Sequence, residues 1–281
     1  MKLAICNEVL AHLPFEQQCA LAASLGYQGL EIAPFTLAPD PATIEPATAQ
    51  AWARTAADHG LLICGLHWLL ARPEGMSITT TNEQVRRRTF GFLERMIEIG
   101  AACGAQVLVH GSPRQRAPEP GQSVDDATAR AADLWASLAE RASTAGLIYC
   151  IEPLAPATTP VVNTLAQAAA IVDAVGSPAL RTMLDLGASE QAEAQAPEQV
   201  LRHHLALGHI AHVQLNDRNR RGPGQGDTSV APVLQALRDG GYAGWVSIEP
   251  FDFYPSPEAC AAFSSGYVRG LWQAVEEPRV M

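Results

Sequence analysis

Four polar residues close four apolar runs: Glu152 in CIEPL, Asp185 in MLDLG, Gln214 in HVQLND and Glu249 in SIEPF. They recur roughly every 30 residues, about one strand-plus-helix unit, which would set them at similar height around one mouth. Three carboxylates there, with no lysine beside them in sequence, would repel one another and resist burial unless a divalent cation neutralises them. Carboxylate oxygens with one neutral amide or imidazole suit Mn²⁺ or Mg²⁺ and admit Co²⁺. They suit Zn²⁺ less well than a thiolate-rich site would. Each acid alone reads equally well as a solvated strand end or a helix cap; it is the four together, in an even rhythm, that point to a metal. Proline follows both Glu152 and Glu249 and fixes the chain as it leaves the run. His212 and Gln214 lie two apart and so face the same side of a strand. Only one need touch the metal. Gln214, nearer the mouth, is the preferred ligand, with His212 a layer deeper or shaping the substrate pocket.

Such a set supports removal of a proton next to a carbonyl, the cation stabilising the enediolate as a Lewis acid. Glu152 and Glu249 are the natural general acid and base. Return of the proton to the opposite face of the same carbon gives an epimer, and return to the neighbouring carbon interconverts aldose and ketose. Expulsion of a β-substituent would instead make the protein a lyase or dehydratase on a cyclitol, keto acid or glycoside. A non-catalytic sugar-binding barrel is the third reading. Asn7, Glu31, His67 and Trp68 stand where earlier runs meet their loops and are candidate pocket residues. Trp68 would stack on a sugar or cap the hydrophobic layer. Arg114 and Arg116 in SPRQR would meet a phosphate or carboxylate, or simply be solvated. Arg86, Arg87 and Arg88 read as a solvated helix face or a subunit contact.

The elements that must position these groups are eight short apolar runs, at 3–6, 29–33, 61–66, 106–110, 147–152, 180–185, 209–215 and 245–249. Between them lie stretches with helical spacing, notably 83–103 and 124–145. Gly26, Gly60, Gly104, Gly146, Gly208 and Gly241 fall where a helix C-terminus needs a left-handed residue. Eight runs, each followed by a helix, imply parallel strands and the number that closes a (β/α)₈ TIM barrel, read as a single domain over 1–281. An open doubly wound sheet would favour a glycine-rich turn after the first run, where NEVLAHLPF stands instead.

Composition agrees. The 281 residues are 48% hydrophobic, enough for a large core, and the formal charge of −10 opposes nucleic-acid binding. Six scattered cysteines with no C-x-x-C pair predict reduced, buried thiols. No leader peptide or membrane-length run is evident, so the expected setting is cytoplasmic, away from membranes. The expected partner is a small sugar or keto acid, with a homo-oligomer admitted. HVQLNDRNRRGPGQGD lacks the G-K-[ST] ending of a phosphate loop, so its glycines are expected to turn a loop over the barrel mouth.

IEP, LDLG, H-x-Q-x-N-D with N-R-R-G-P-G-x-G, and IEPF resemble the xylose isomerase-like barrels, in the group labelled sugar phosphate isomerase/epimerase. GYQGLEIAPF and VHGSPRQR extend the resemblance over nearly the whole chain. It implies a divalent metal on Glu152, Asp185, Gln214 and Glu249, and a substrate-binding arginine at Arg220. Glutamine at the strand-seven position is similar to hydroxypyruvate isomerases; ketose 3-epimerases carry histidine there. Two further departures from ketose 3-epimerases are Ala188 and Thr158, where that group typically has histidine and glutamate. Ala188 also removes a ligand of the zinc-cluster endonucleases of the same superfamily.

Overall fold

The computed structural model describes residues 1–276; the last five residues of the expected domain lie outside the described ones. Eight parallel strands close on themselves in chain order. They are β1 Lys2–Cys6, β2 Gly29–Ile32, β3 Leu62–Leu66, β4 Val107–His110, β5 Ile148–Ile151, β6 Leu180–Asp185, β7 Ile210–Leu215 and β8 Trp245–Ile248. Seven lie within the runs expected for them and β1 begins one residue earlier, at Lys2; the expected TIM barrel is the observed one. The two long helices span Glu83–Ala102 and Val124–Ala145. Ser123 caps the second through Asp126 N, and all six glycines expected at helix ends hold left-handed φ between 64° and 81°.

Most buried apolar residues pack between the strands' outer faces and the helices. Inside, residues alternate inward along each strand. Ala4, Cys64 and Trp245 fill one part of the interior, and Val107, Val109, Cys150 and Met183 another. Trp245 needs Gly29 opposite it, since a Cβ there would come within 2.8 Å of the indole ring. The same alternation has a consequence at the mouth. With Cys150, Met183 and His212 facing in, Glu152, Asp185 and Gln214 must face in one layer higher, while on β8 Trp245 and Ser247 face in and Glu249 follows one step above Ser247. Strand pairing sets Asp185 beside Gln214 and Gln214 beside Ser247. All six cysteines are free and buried, and no described helix is long and apolar enough to cross a membrane.

Candidate active site

Glu152, Asp185 and Glu249 each present an oxygen within 4.8 Å of the other two, and all three are buried. Asp185 ends β6 and caps the helix Leu186–Ala192, accepting from Ala188 N at 2.6 Å through Oδ1. Its Oδ2 accepts from Asn216 Nδ2 at 2.7 Å, and the same amide reaches the Glu249 carbonyl at 3.2 Å. Asn216 Oδ1 in turn accepts from Gly187 N at 2.8 Å, so one buried amide ties the ends of β6, β7 and β8 together. Asn216 continues the inward alternation of His212 and Gln214, a parity that alone could have placed it at the site.

Arg116 fastens Glu152 from behind. It is fully buried, donates to the Glu152 carbonyl at 2.8 Å and to the His110 carbonyl, and lies over the Trp135 ring. Gly111 leaves the space that the Glu152 carboxylate occupies: a Cβ there would land on Oε2. Burial and the Asp185 charge push Glu152 up to about 8. Burial raises Asp185 to about 6 despite the bonds from Ala188 and Asn216 that oppose it. Burial, then Glu152 and Asp185, hold Glu249 well above the usual carboxylate range. Three acids gathered in this way repel one another more than the Arg116 charge behind Glu152 relieves.

Glu31 holds the layer beneath. Its Oε1 accepts from Gln214 Nε2 at 3.0 Å and its Oε2 from His212 Nε2 at 2.9 Å, with the Cys6 thiol 3.6 Å away. Burial alone would raise it, but the His212 imidazole, and then His67, bring Glu31 down to about 2. Glu31 and His212 have no exposed surface and are bonded to each other, so both stand beneath the gathered carboxylates, the deeper of the two places expected for His212. Asn7 is likewise a strut, bonded to Gln18, Thr36 and the Ala33 amide. His67 is brought to the centre, with Nε2 2.7 Å from Glu8 Oε2 and 3.9 Å from Glu249 Oε1. Burial opposes its protonation, but Glu8 and Glu31 outweigh it and raise the His67 pKa. Glu8, on the short turn Asn7–Leu10, carried no signal in the sequence reading.

A divalent cation fits these residues. Gln214 Oε1 and Glu249 Oε2 are buried acceptors without a hydrogen-bond partner, next to three mutually repelling carboxylates. A cation is the partner such oxygens lack.

The rim comes from three loops. Half-buried Trp68 meets Phe251 edge-on at 6.5 Å, and Arg220 lies over the other part of that platform, 5.2 Å from the Phe251 ring. Arg220 is exposed at the mouth and holds a left-handed φ of 73°. Its carbonyl accepts from both Phe251 N at 2.7 Å and Asp252 N at 2.8 Å, joining the loops after β7 and β8. The neighbouring Arg221 bonds Asp252 at 2.9 Å and stacks on Tyr254 at 4.0 Å. Arg114 is exposed on its turn, whereas Arg116 two residues on is the buried one. The Arg86–Arg88 run is tied down locally, to the Arg130 carbonyl, Glu83 and the Gly75 carbonyl in turn. Thr158 is exposed with its hydroxyl turned to the Ala155 carbonyl, and half-buried Ala188 meets Asp185 only through its backbone amide.

Residues 19–265 match the family model described as the xylose isomerase-like TIM barrel, and the chain belongs to that family. Among curated proteins it is 30% identical over 184 residues to a probable ketose 3-epimerase of Synechocystis, covering 64% of this chain and 62% of that protein. It is 26% identical over 200 residues to the D-psicose 3-epimerase of Agrobacterium fabrum, covering 70% and 67%. The first alignment thus spans less than two thirds of the relative's length. Among solved structures, an L-ribulose 3-epimerase superposes with a TM-score of 0.85 at 21% identity over 99% of both chains. The 3-keto-D-glucoside 4-epimerase of E. coli does so with 0.81 at 20% identity, over 96% of this chain and 99% of that one. At such identities the structural likeness is one of fold.

Proposed function

We propose that the protein is a divalent-cation-dependent epimerase of a ketose or a related keto sugar. The observation that carries this reading is the buried cluster of Glu152, Asp185 and Glu249 beside the unpartnered Oε1 of Gln214. The names of the relatives favour epimerisation over aldose–ketose exchange. Glu152, Asp185, Gln214 and Glu249 would hold the cation, Mn²⁺ or Mg²⁺ by the hardness of their oxygens. When bound, it would supply Lewis-acid polarisation of a substrate carbonyl and its neighbouring hydroxyl.

The chain's own groups do the rest. Glu152 and Glu249 leave non-adjacent strands, β5 and β8, so their carboxylates can address a bound carbon from two sides. One takes the proton at an Oε atom and the other returns it to the opposite face. Asn216 fixes Asp185 and the Glu249 backbone, and Arg116 and Gly111 fix Glu152. Trp68 and Phe251 would cover the apolar face of the sugar and exclude water, while Arg220 clasps a hydroxyl or carbonyl oxygen at the rim.

The test is incubation of the Mn²⁺-loaded protein with ketoses and 3-keto glycosides in D₂O. One solvent deuteron at a single inverted carbon is the expected product. Loss of water or of an aglycone would replace the epimerase reading with a lyase one. Turnover persisting in Glu152→Gln would reject the assignment of the base.

A further inference from the structure

A carboxamide is an ambiguous metal ligand. Its oxygen can coordinate, its NH₂ cannot, and the two differ only by a half-turn about the last side-chain bond. Histidine at the same place has no such ambiguity. A barrel that uses glutamine therefore needs something that tells the amide which way to face. Gln214 is fully buried, so water cannot do this. The chain provides one fixed acceptor below it: Glu31 Oε1, 3.0 Å from Gln214 Nε2. Glu31 cannot turn away, because its other oxygen is engaged by His212 Nε2 at 2.9 Å and the residue has no exposed surface. An ionised carboxylate only accepts hydrogen bonds, so the side of the amide facing Glu31 must be the NH₂. The oxygen is left on the opposite side, buried and without a partner.

We infer that Glu31 is a positioning residue that locks the Gln214 amide with its oxygen toward the cation, with His212 bracing the lock. This rests on the reading of Gln214 as a metal ligand. Replacing Glu31 by glutamine puts a second amide below the first. That amide can donate as well as accept, so Gln214 loses its directional instruction. Outer-sphere partners of this kind typically govern metal affinity by about 10–100-fold.

The test is a cycle of four proteins: the unaltered chain, Glu31→Gln, Gln214→His, and the double variant, each titrated with Mn²⁺ by calorimetry and by the loss of the free-ion EPR signal. Glu31→Gln is expected to weaken Mn²⁺ binding at least about tenfold when residue 214 is glutamine, and about threefold or less when it is histidine, since only charge is then lost. Equal losses in both backgrounds, or none, overturn the lock. If the unaltered chain fails to bind Mn²⁺, the metal reading itself falls, and the inference falls with it. A second measurement needs no variant at residue 31: hydrogen exchange of the Gln214 side-chain NH₂, its signal assigned by its absence in Gln214→His. Slow exchange with and without Mg²⁺ is the expected result, and solvent-rate exchange overturns the lock even if Glu31→Gln does not fold.

Discussion

Arg116 donates to the backbone carbonyl of Glu152, 2.8 Å away, and leaves the carboxylate of the same residue free to face the site. A buried guanidinium thus acts as a framework member that also lends its charge, for it lowers a Glu152 pKa that burial and Asp185 raise. Burial in turn brings Arg116 itself down to about 10. Arg116→Met would keep most of the volume but strand the Glu152 carbonyl and leave the His110 carbonyl only the Glu152 N–H at 3.4 Å. Each unsatisfied buried acceptor costs about 1–3 kcal/mol. The expected outcome is a large drop in the thermal midpoint with a loss of turnover, read by calorimetry and a coupled assay. An unchanged midpoint would contradict the framework role.

The carboxylate cluster makes stability without a cation depend on pH in an unusual direction. Glu152 titrates near 8 in the folded chain and Asp185 near 6, both above their ordinary values. An acid with a raised folded pKa binds its proton more tightly when folded. Stability is therefore fullest below the unfolded pKa, and falls as pH rises toward the folded one. The metal-free protein should lose stability steadily between about pH 4 and 8, and saturating Mn²⁺ should flatten or reverse the trend. Melting curves at half-unit pH steps, with and without chelator, decide this.

Glu152→Gln removes one of the three repelling charges. At pH 8 and without metal, this variant should melt no lower than the unaltered chain, although its turnover is lost. A variant both inactive and markedly less stable under those conditions would mean that Glu152 holds the fold and not the chemistry.

Gly111→Ala is a steric test of the same carboxylate. The new methyl would fall on Glu152 Oε2, so the side chain must leave its place. Turnover should drop at least about a hundredfold, since displacements near 1 Å carry penalties of that size. Normal activity in this variant would show that Glu152 has another productive position.

Arg220 combines a left-handed backbone with a proposed substrate contact. Arg220→Gly suits that backbone and removes the guanidinium, whereas Arg220→Ala adds strain as well. The glycine variant should keep its thermal midpoint and raise KM roughly 10–100-fold, the scale of one charged hydrogen bond. A KM unchanged within error would remove Arg220 from the pocket.

The barrel could be read from the chain because six of the eight strands announce themselves twice, by an apolar run and by one of the six glycines expected at the end of the helix before them. Glu152, Asp185, Gln214 and Glu249 were legible for a related reason: strand parity is local, so a polar residue ending an apolar run faces inward or outward predictably. Depth is not local. Glu152 closes its run whereas Glu31 lies in the middle of the run 29–33, and how far beneath the mouth it sits follows from the stagger between neighbouring strands. The pairing of β2 with β3 also shifts register between Leu30 and Glu31. Arg114 and Arg116 are alike in sequence; only the turn Arg114–Arg116 decides which one goes in. Glu8 came into the site through a short turn that leaves no periodicity to detect.

The carbonyl of Arg220 takes two amides from the segment after β8, so two of the three rim loops are stitched into one wall. Variation in this family is therefore expected to travel in pairs. A specificity loop moved alone from a relative would leave the Phe251 and Asp252 amides facing a backbone that no longer meets them. An engineer seeking a new sugar preference would need to exchange residues 217–228 and 250–256 as a single cassette.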